Sequence, residues 1–318
     1  MCNQVTQIHH AHGSVMGGPW QLRHVPIAGV AEDDVANAAL AAMQRVDAQM
    51  SNYRADSDLM RLNTAPLDMY IDIPADMFTV MARAQHFARL SGGTLNIALG
   101  RLVNLWGFGP DKTPAIHPEI STLKEQAALA ALGGFALRPH PPAVIKNADI
   151  CFDLCALAKG FAVDQAARAV EALGVQNFLI EAAGEVFARG HANSTPWRVG
   201  LELPVPGKEH LVFDELELDG RGIATTGNYR NHRQIEGMSV SHTIDPTTGA
   251  PLYGDLLSVS VLDETCMDAD ALATVLFVLG SKKGPEFADQ NKIAALFLIR
   301  EADGLREIRS LTFMEMTT

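Results

Sequence analysis

The sequence lacks a membrane-spanning run: its most continuous apolar stretch, Ala271 to Gly280, is about half of the ~20 residues a helix needs to cross a bilayer. A secretory leader is also missing, because no basic start precedes an apolar run at the N-terminus. Cys2 directly after Met1 nevertheless stands where the first residue of a cleaved lipoprotein would stand if a start methionine had been added. An exported, lipid-anchored protein and an ordinary cytoplasmic one therefore both stay open. Cysteine is scarce. The four present (Cys2, Cys151, Cys155, Cys266) form no paired Cys-x-x-Cys framework, which argues against a structural zinc site. Cys151 and Cys155 are either a disulfide or two small thiols.

Positive charge is short as well. Lys and Arg number 25 against 37 Asp and Glu, and the formal net charge of -12 argues against a nucleic-acid binder, since neutralising phosphates needs clustered cations. An anionic ligand would have to be met by a divalent cation or by local backbone dipoles. What is abundant is apolar surface: 47% of the 318 residues are hydrophobic and 19% are charged, enough for a substantial core and too few charges for disorder.

Residues 1–12 read as a polar tail carrying His9, His10 and His12, and 13–318 as one domain. A short strand is expected around Trp20 to Val25. Apolar spacing then predicts a helix from Glu32 to Met50 and a second from Asp76, as N-cap, to Leu90, stopped by Ser91-Gly92-Gly93. Between Pro110 and Pro142 lies a short Ala-rich helix. A strand is expected from Val144 to Phe152, a loop over Asp153 to Gly160, and a helix from there to Leu173. Further strands are expected at Phe178 to Ile180, Trp197 to Leu203, Leu211 to Leu218 and Ser258 to Leu262. A helix from Asp268 to Leu279 ends at Gly280, and Ala294 to Ile299 with Leu305 to Leu311 form a hairpin around Asp303-Gly304. Strands and helices mix without a regular βαβ rhythm, so the class is α+β with mixed or antiparallel sheets and packed helices.

Four places can carry chemistry. Asp270 and Thr274 are one turn apart on a helix and offer two hard oxygen ligands suited to Mg²⁺; taken alone, however, Asp268 and Asp270 near a helix start read more readily as capping and dipole-matching residues. In Asp153 to Gly160, small residues let a ligand approach the backbone and Lys159 can meet a phosphate; a tight connection with a solvated lysine is the plain alternative. The stretch is not a Walker loop. His242, just before the Asp245-Pro246 turn, is either a general base or a structural histidine. The small, polar run Ile223 to Arg230 either lines a pocket or forms a hairpin loop.

Taken in order, these segments resemble the ApbE family of flavin transferases from about Gly13 to the C-terminus. The matching stretches are Met16-Gly17-Gly18, Met50-Ser51-Asn52-Tyr53 through Ser57 to Asn63, and Gly92-Gly93-Thr94-Leu95-Asn96 through Leu105-Trp106-Gly107-Phe108. They continue with Asp153 to Gly160, Ala183-Gly184-Glu185, Thr225 to Tyr229, His242 to Gly249 and the Asp270 to Thr274 turn. The resemblance implies a two-lobed α+β fold with a flavin cleft between the lobes. It implies Mg²⁺ held by Asp270, Thr274 and the carbonyl of Ala156. FAD would be contacted by Met16, Tyr53, Thr94, Leu95, Asn96, Asp153, Lys159 and Ile244, with His242 by the phosphates and His242 and Asp270 in catalytic roles. The implied reaction attaches FMN from FAD to a threonine of a membrane-associated client redox protein, with release of AMP, outside the cytoplasm. Three positions depart from the family pattern: Cys155 for a glycine, Ala183-Gly184-Glu185 for Gly-Gly-Asp, and Leu95-Asn96 for Phe-Asp. An FAD pyrophosphatase using water, and an FAD-binding protein without turnover, are the competing readings.

Overall fold

The structure, a computed structural model, describes residues 7–110, 117–192, 194–205, 207, 211–228, 232–235 and 238–317. Cys2, Tyr229 and Arg230 lie outside the described residues.

The chain opens with a hairpin of β1 (His9–Val15) and β2 (Gly18–His24), turning through Met16 and Gly17 at positive φ. β1 begins inside the stretch expected to be a tail; its polar residues are tolerated because it is an edge strand whose register is set by Trp20 and Leu22 opposite. Helix α1 (Glu32–Met50) has the expected bounds and buries Val35, Ala39, Met43, Val46 and Met50. Ser57 caps α2 (Asp58–Asn63), and β3 (Tyr70–Asp72) follows. In α3 (Ala75–Leu90), Pro74 rather than Asp76 takes the N-cap position; Asp76 sits in the first turn facing Arg45. The expected Ala-rich helix is α5 (Ile120–Ala131), preceded by α4 (Gly100–Leu105).

β4 (Phe135–Pro139) and β5 (Pro142–Lys146) form a hairpin with β3 on its other side. The strand expected from Val144 to Phe152 thus ends at Lys146. Beyond it, Asn63 replaces a neighbouring strand: its Oδ1 accepts from Phe152 N at 2.7 Å and its Nδ2 donates to Phe152 O at 3.0 Å. Helix α6 (Cys155–Ala172) starts five residues before Gly160, so most of the expected loop is helix. Then come β6 (Phe178–Ala182), β7 (Glu185–Arg189), β8 (His191–Ala192), β9 (Thr195–Glu202), β10 (Val212–Leu218) and β11 (Arg221–Gly227). Ile223 to Gly227 therefore belongs to a strand, not to a hairpin loop. The chain closes with β12 (His232–Ile235), β13 (Met238–Ser241), β14 (Leu256–Asp263), α7 (Cys266–Gln290), β15 (Ala294–Glu301), β16 (Gly304–Arg309) and α8 (Leu311–Thr317). Gly280 does break α7, with φ 80°, but a second helical segment continues beyond the kink.

Eight strands form one antiparallel sheet in the order β1-β2-β6-β7-β11-β14-β15-β16. Alternation gives it two apolar faces. One, with Phe178, Ile180, Val259 and Phe297, belongs to the core that also takes in α1, α6 and α7. The other, with Leu179, Val186, Leu262 and Leu296, is covered by Trp197, Leu201, Leu216 and Leu218 of β9 and β10 and by Phe313 of α8. A smaller lobe has its own core around Trp106, with Leu102, Leu123, Ile235, Val240 and Ile244; the Trp106 indole donates to Gly249 O at 2.8 Å. The class is α+β, and the cleft lies between this lobe and the large sheet with its helices.

Candidate functional site

Helices α6 and α7 meet unusually closely. A Cβ on Gly160 would lie 2.3 Å from Cys266 O and 2.8 Å from Met267 Cα, so only glycine permits this crossing. Asp164, one turn further along α6, accepts from Cys266 N at 2.8 Å and Met267 N at 3.0 Å, satisfying donors at the start of α7. Its carboxyl is pushed up to about 6 by burial, against the lowering effect of those two N–H groups.

This crossing delivers Asp270 to the cleft. Asp270 is buried, and its Oδ2 accepts from Gly160 N at 3.1 Å, the donor that would serve Ala156 O in a regular helix. Asp268 does not share that fate: it forms a two-point pair with Arg83, at 2.7 and 2.6 Å, while Thr265 is the N-cap of α7. The two acids that the capping alternative grouped together thus part, Asp268 to scaffold and Asp270 to the cleft. Thr274, one turn on, lies 3.4 Å from the hydroxyl of Thr226 on β11.

Lys159 sits one turn into α6. Its ammonium bonds Glu185 Oε1 and lies 3.5 Å from Asp270 Oδ1. Burial opposes that charge, but the two carboxylates more than compensate and hold the lysine firmly protonated. Glu185 and Asp270 are both pushed upward, chiefly by burial; Glu185 reaches about 7. Glu185 Oε2 is buried with no hydrogen-bond partner among the described residues. Two carboxylates sharing one ammonium leave a local excess of negative charge that a further cation would offset. Glu185 was noted in the sequence only as a departure from a family pattern; an acid in the otherwise apolar strand Glu-Val-Phe-Ala was the available sign.

Asp153 Oδ1 accepts from Cys155 N at 2.8 Å just outside α6, so the N-terminal end of that helix faces the cleft. Cys151 and Cys155 are not joined by a disulfide, and the Cys155 thiol lies 4.0 Å from Asn52 Nδ2 on the cleft wall. Across the opening, Tyr53 OH donates to Phe108 O at 2.7 Å and spans the two lobes. Thr94 donates to Ser91 O, and Asn96 accepts from Ala98 N and donates to Ala130 O, so the segment is held by its own turn and by α5. From the small lobe, His242 is half-buried with its ring 6.2 Å from that of Phe108, and Ile244 bridges to Pro251. Met16, Tyr53, Thr94, Leu95, Asn96, Asp153, Ala156, Lys159, His242, Ile244, Asp270 and Thr274 all line this one cleft, whose volume is about 1540 Å³. Sequence separation had kept them apart; the fold brings every one of them to it.

The structure is therefore an α+β protein with two lobes and a wide cleft, on whose wall buried carboxylates, a paired lysine and a helix start converge. Residues 16–297 match the ApbE family model. The chain is 32% identical, over 98% of its length and 93% of the relative, to the FAD:protein FMN transferase of Vibrio cholerae, and 33% identical, over 99% and 93%, to that of Haemophilus influenzae. Among solved structures, the apo flavinyl transferase ApbE of Pseudomonas stutzeri superposes with a TM-score of 0.89 at 32% identity, covering 98% of this chain and 97% of that one. The chain belongs to the ApbE family.

Proposed function

We propose that this chain is an Mg²⁺-dependent FAD:protein FMN transferase, which joins FMN through a phosphoester to a threonine of a client redox protein and releases AMP. The observation that carries the reading is the convergence of Lys159, Asp270, Thr274 and His242 on one cleft, in a chain whose matched relatives are named FAD:protein FMN transferases.

The donor set fits magnesium. Among the described residues no group of three or more His, Cys, Asp or Glu is placed to hold a metal, which disfavours zinc. Magnesium needs only one or two carboxylates, the rest of its shell being water and substrate phosphate. Asp270, Thr274 and the carbonyl of Ala156 would hold it, and it would supply Lewis-acid stabilisation of the charge that builds on the pyrophosphate. Lys159 and the start of α6 add positive potential on the same wall. Met16, Tyr53, Thr94, Leu95, Asn96, Asp153 and Ile244 are assigned to the rest of FAD.

His242 takes the proton from the threonine hydroxyl as its oxygen bonds to the FMN phosphorus and the bond from that phosphorus to the AMP oxygen breaks. The client is proposed to be a membrane redox subunit, and the site of action the periplasm, both on the family resemblance; fractionation of cells carrying the native gene tests the second. For the reaction, the decisive experiment is intact-mass analysis of a threonine-bearing client incubated with protein and FAD. A gain of one FMN that requires Mg²⁺ and Asp270 supports transfer. FMN released at the same rate without client shows hydrolysis instead, and FAD recovered intact shows neither. His242→Ala transferring at the wild-type rate would remove the general-base assignment.

A further inference from the structure

Part of the cleft lining, its far arm on β11 and β14, contains none of the residues assigned to FAD or metal. Strand register sets it apart from them. On β11, Thr226 faces α7 and Thr274, whereas Thr225 faces the opposite side of the sheet, where its hydroxyl lies 2.8 Å from Ser260 Oγ. Ser258 shares that far face, and Ser258 and Ser260 pair with Leu298 and Leu296 of β15. These residues line the same cleft as Asp270. At the end of the sheet the Met16–Gly17 turn meets the Ala183–Gly184 turn, and both turns line the same cleft. There a Cβ on Gly18 would come within 3.0 Å of the Ala183 Cβ, and both Met16 and Ala183 hold positive φ.

Two features give the far arm an occupant of its own. The volume of about 1540 Å³ exceeds the ~300–1,000 Å³ usual for one small ligand. In addition, Ser258 and Ser260 are buried, 4% and 5% exposed, and with Thr225 they interrupt a sheet face that otherwise presents Leu179, Val186, Ile223, Leu262, Leu296 and Leu298. Packing alone would favour larger apolar side chains there. Small hydroxyl residues instead keep the floor low and present hydrogen-bonding groups. The lining also carries the exposed Arg23 and Arg198, the latter paired with Glu215, together with Glu181 and Glu202, a mixed-charge border that suits a polypeptide better than a second phosphate.

We propose that this arm seats the acceptor: an extended segment of the client crosses Thr225, Ser258 and Ser260, and its threonine turns over the Met16–Gly18 lip toward Lys159 and Asp270. This rests on the transfer reading above. The test fills the floor with strand-favouring side chains, Ser258→Val with Ser260→Val. The acceptor probe is solubilised membrane protein from cells lacking this gene, read by covalent-flavin fluorescence on a denaturing gel. The filled variant is expected to bind FAD within about twofold of wild type while the acceptor concentration for half-maximal labelling rises by about tenfold or more. A loss of FAD affinity of about tenfold would assign the arm to the dinucleotide and overturn the proposal, as would unchanged labelling. If the filled variant does not fold, Arg23→Glu with Arg198→Glu on the exposed rim replaces it, with the same expectations. Wild-type protein that releases AMP yet labels nothing would instead sink the transfer reading, a result distinguishable from failure of the arm.

Discussion

Gly160 donates its backbone N–H to Asp270 Oδ2 across 3.1 Å, tying the start of α6 to the proposed metal-binding face of α7. A side chain at Gly160 would meet backbone rather than a movable neighbour. Gly160→Ala is therefore expected to cost about 1–3 kcal/mol, as overpacking does, and to move Asp270 enough to lower transfer further than lost folded protein explains. Thermal unfolding alongside the transfer rate per folded molecule checks this. A variant as stable and as active as wild type would show that the crossing has slack.

Asn63 offers a different kind of test. Its side chain makes two bonds to the backbone of Phe152, and its main-chain carbonyl accepts from Lys146 Nζ at 2.8 Å. Asn63→Ala leaves the Phe152 N–H and C=O without those partners, at a cost of about 1–3 kcal/mol for each buried group left unmet. Because Asp153 follows directly, FAD affinity should fall as well. Asn63→Asp keeps one acceptor and should recover part of the stability in a denaturant titration.

The buried carboxyl of Asp164 predicts a pH dependence. Its folded-state value is raised to about 6, first by burial and also by Asp268, against Met267 N, Cys266 N and Arg168, which lower it. A raised acid binds its proton more tightly in the folded state, so stability falls as pH rises from the ordinary carboxylate range to about 6. Asp164→Asn cannot titrate. The thermal-midpoint advantage of wild type over this variant should therefore shrink as pH climbs through that window and level off above it. An advantage that grows instead would mean that the two N–H groups outweigh burial.

Metal removal separates ligand from scaffold. With chelator, transfer should stop while the fold survives, because Asp270 retains its bonds to Gly160 N and Lys159. Thr274→Val should raise the Mg²⁺ concentration for half-maximal transfer by about tenfold or more, taking one ligand as worth at least a charged hydrogen bond of ~1.5–3 kcal/mol. Asp268→Asn, by contrast, breaks the pair with Arg83 and should affect stability and leave the Mg²⁺ requirement alone. Equal shifts in both variants would show that Thr274 is not a ligand.

Much of this was determined by the sequence alone, wherever the deciding forces are local. The apolar spacing of Val35, Met43, Val46 and Met50 set α1, Ser91-Gly92-Gly93 stopped α3, and Asp303-Gly304 turned the last hairpin. Asp270 and Thr274 were visible as a pair because four residues make one helical turn. Local pattern misled where a distant side chain decided the outcome. Val144 to Phe152 reads as one strand, yet Asn63 takes over beyond Lys146, and the apparent loop before Gly160 is helix from Cys155 onward, packed closely against α7. Only the tertiary structure could part Asp268 from Asp270, since Arg83 lies 185 residues before its partner. Likewise Lys159 meets Glu185 and Asp270, the latter 111 residues away, only once α6, α7 and the central strands have packed. A spacing along the chain encodes which groups share a helix face; a charge balance among three buried groups exists only after water has been driven from between them.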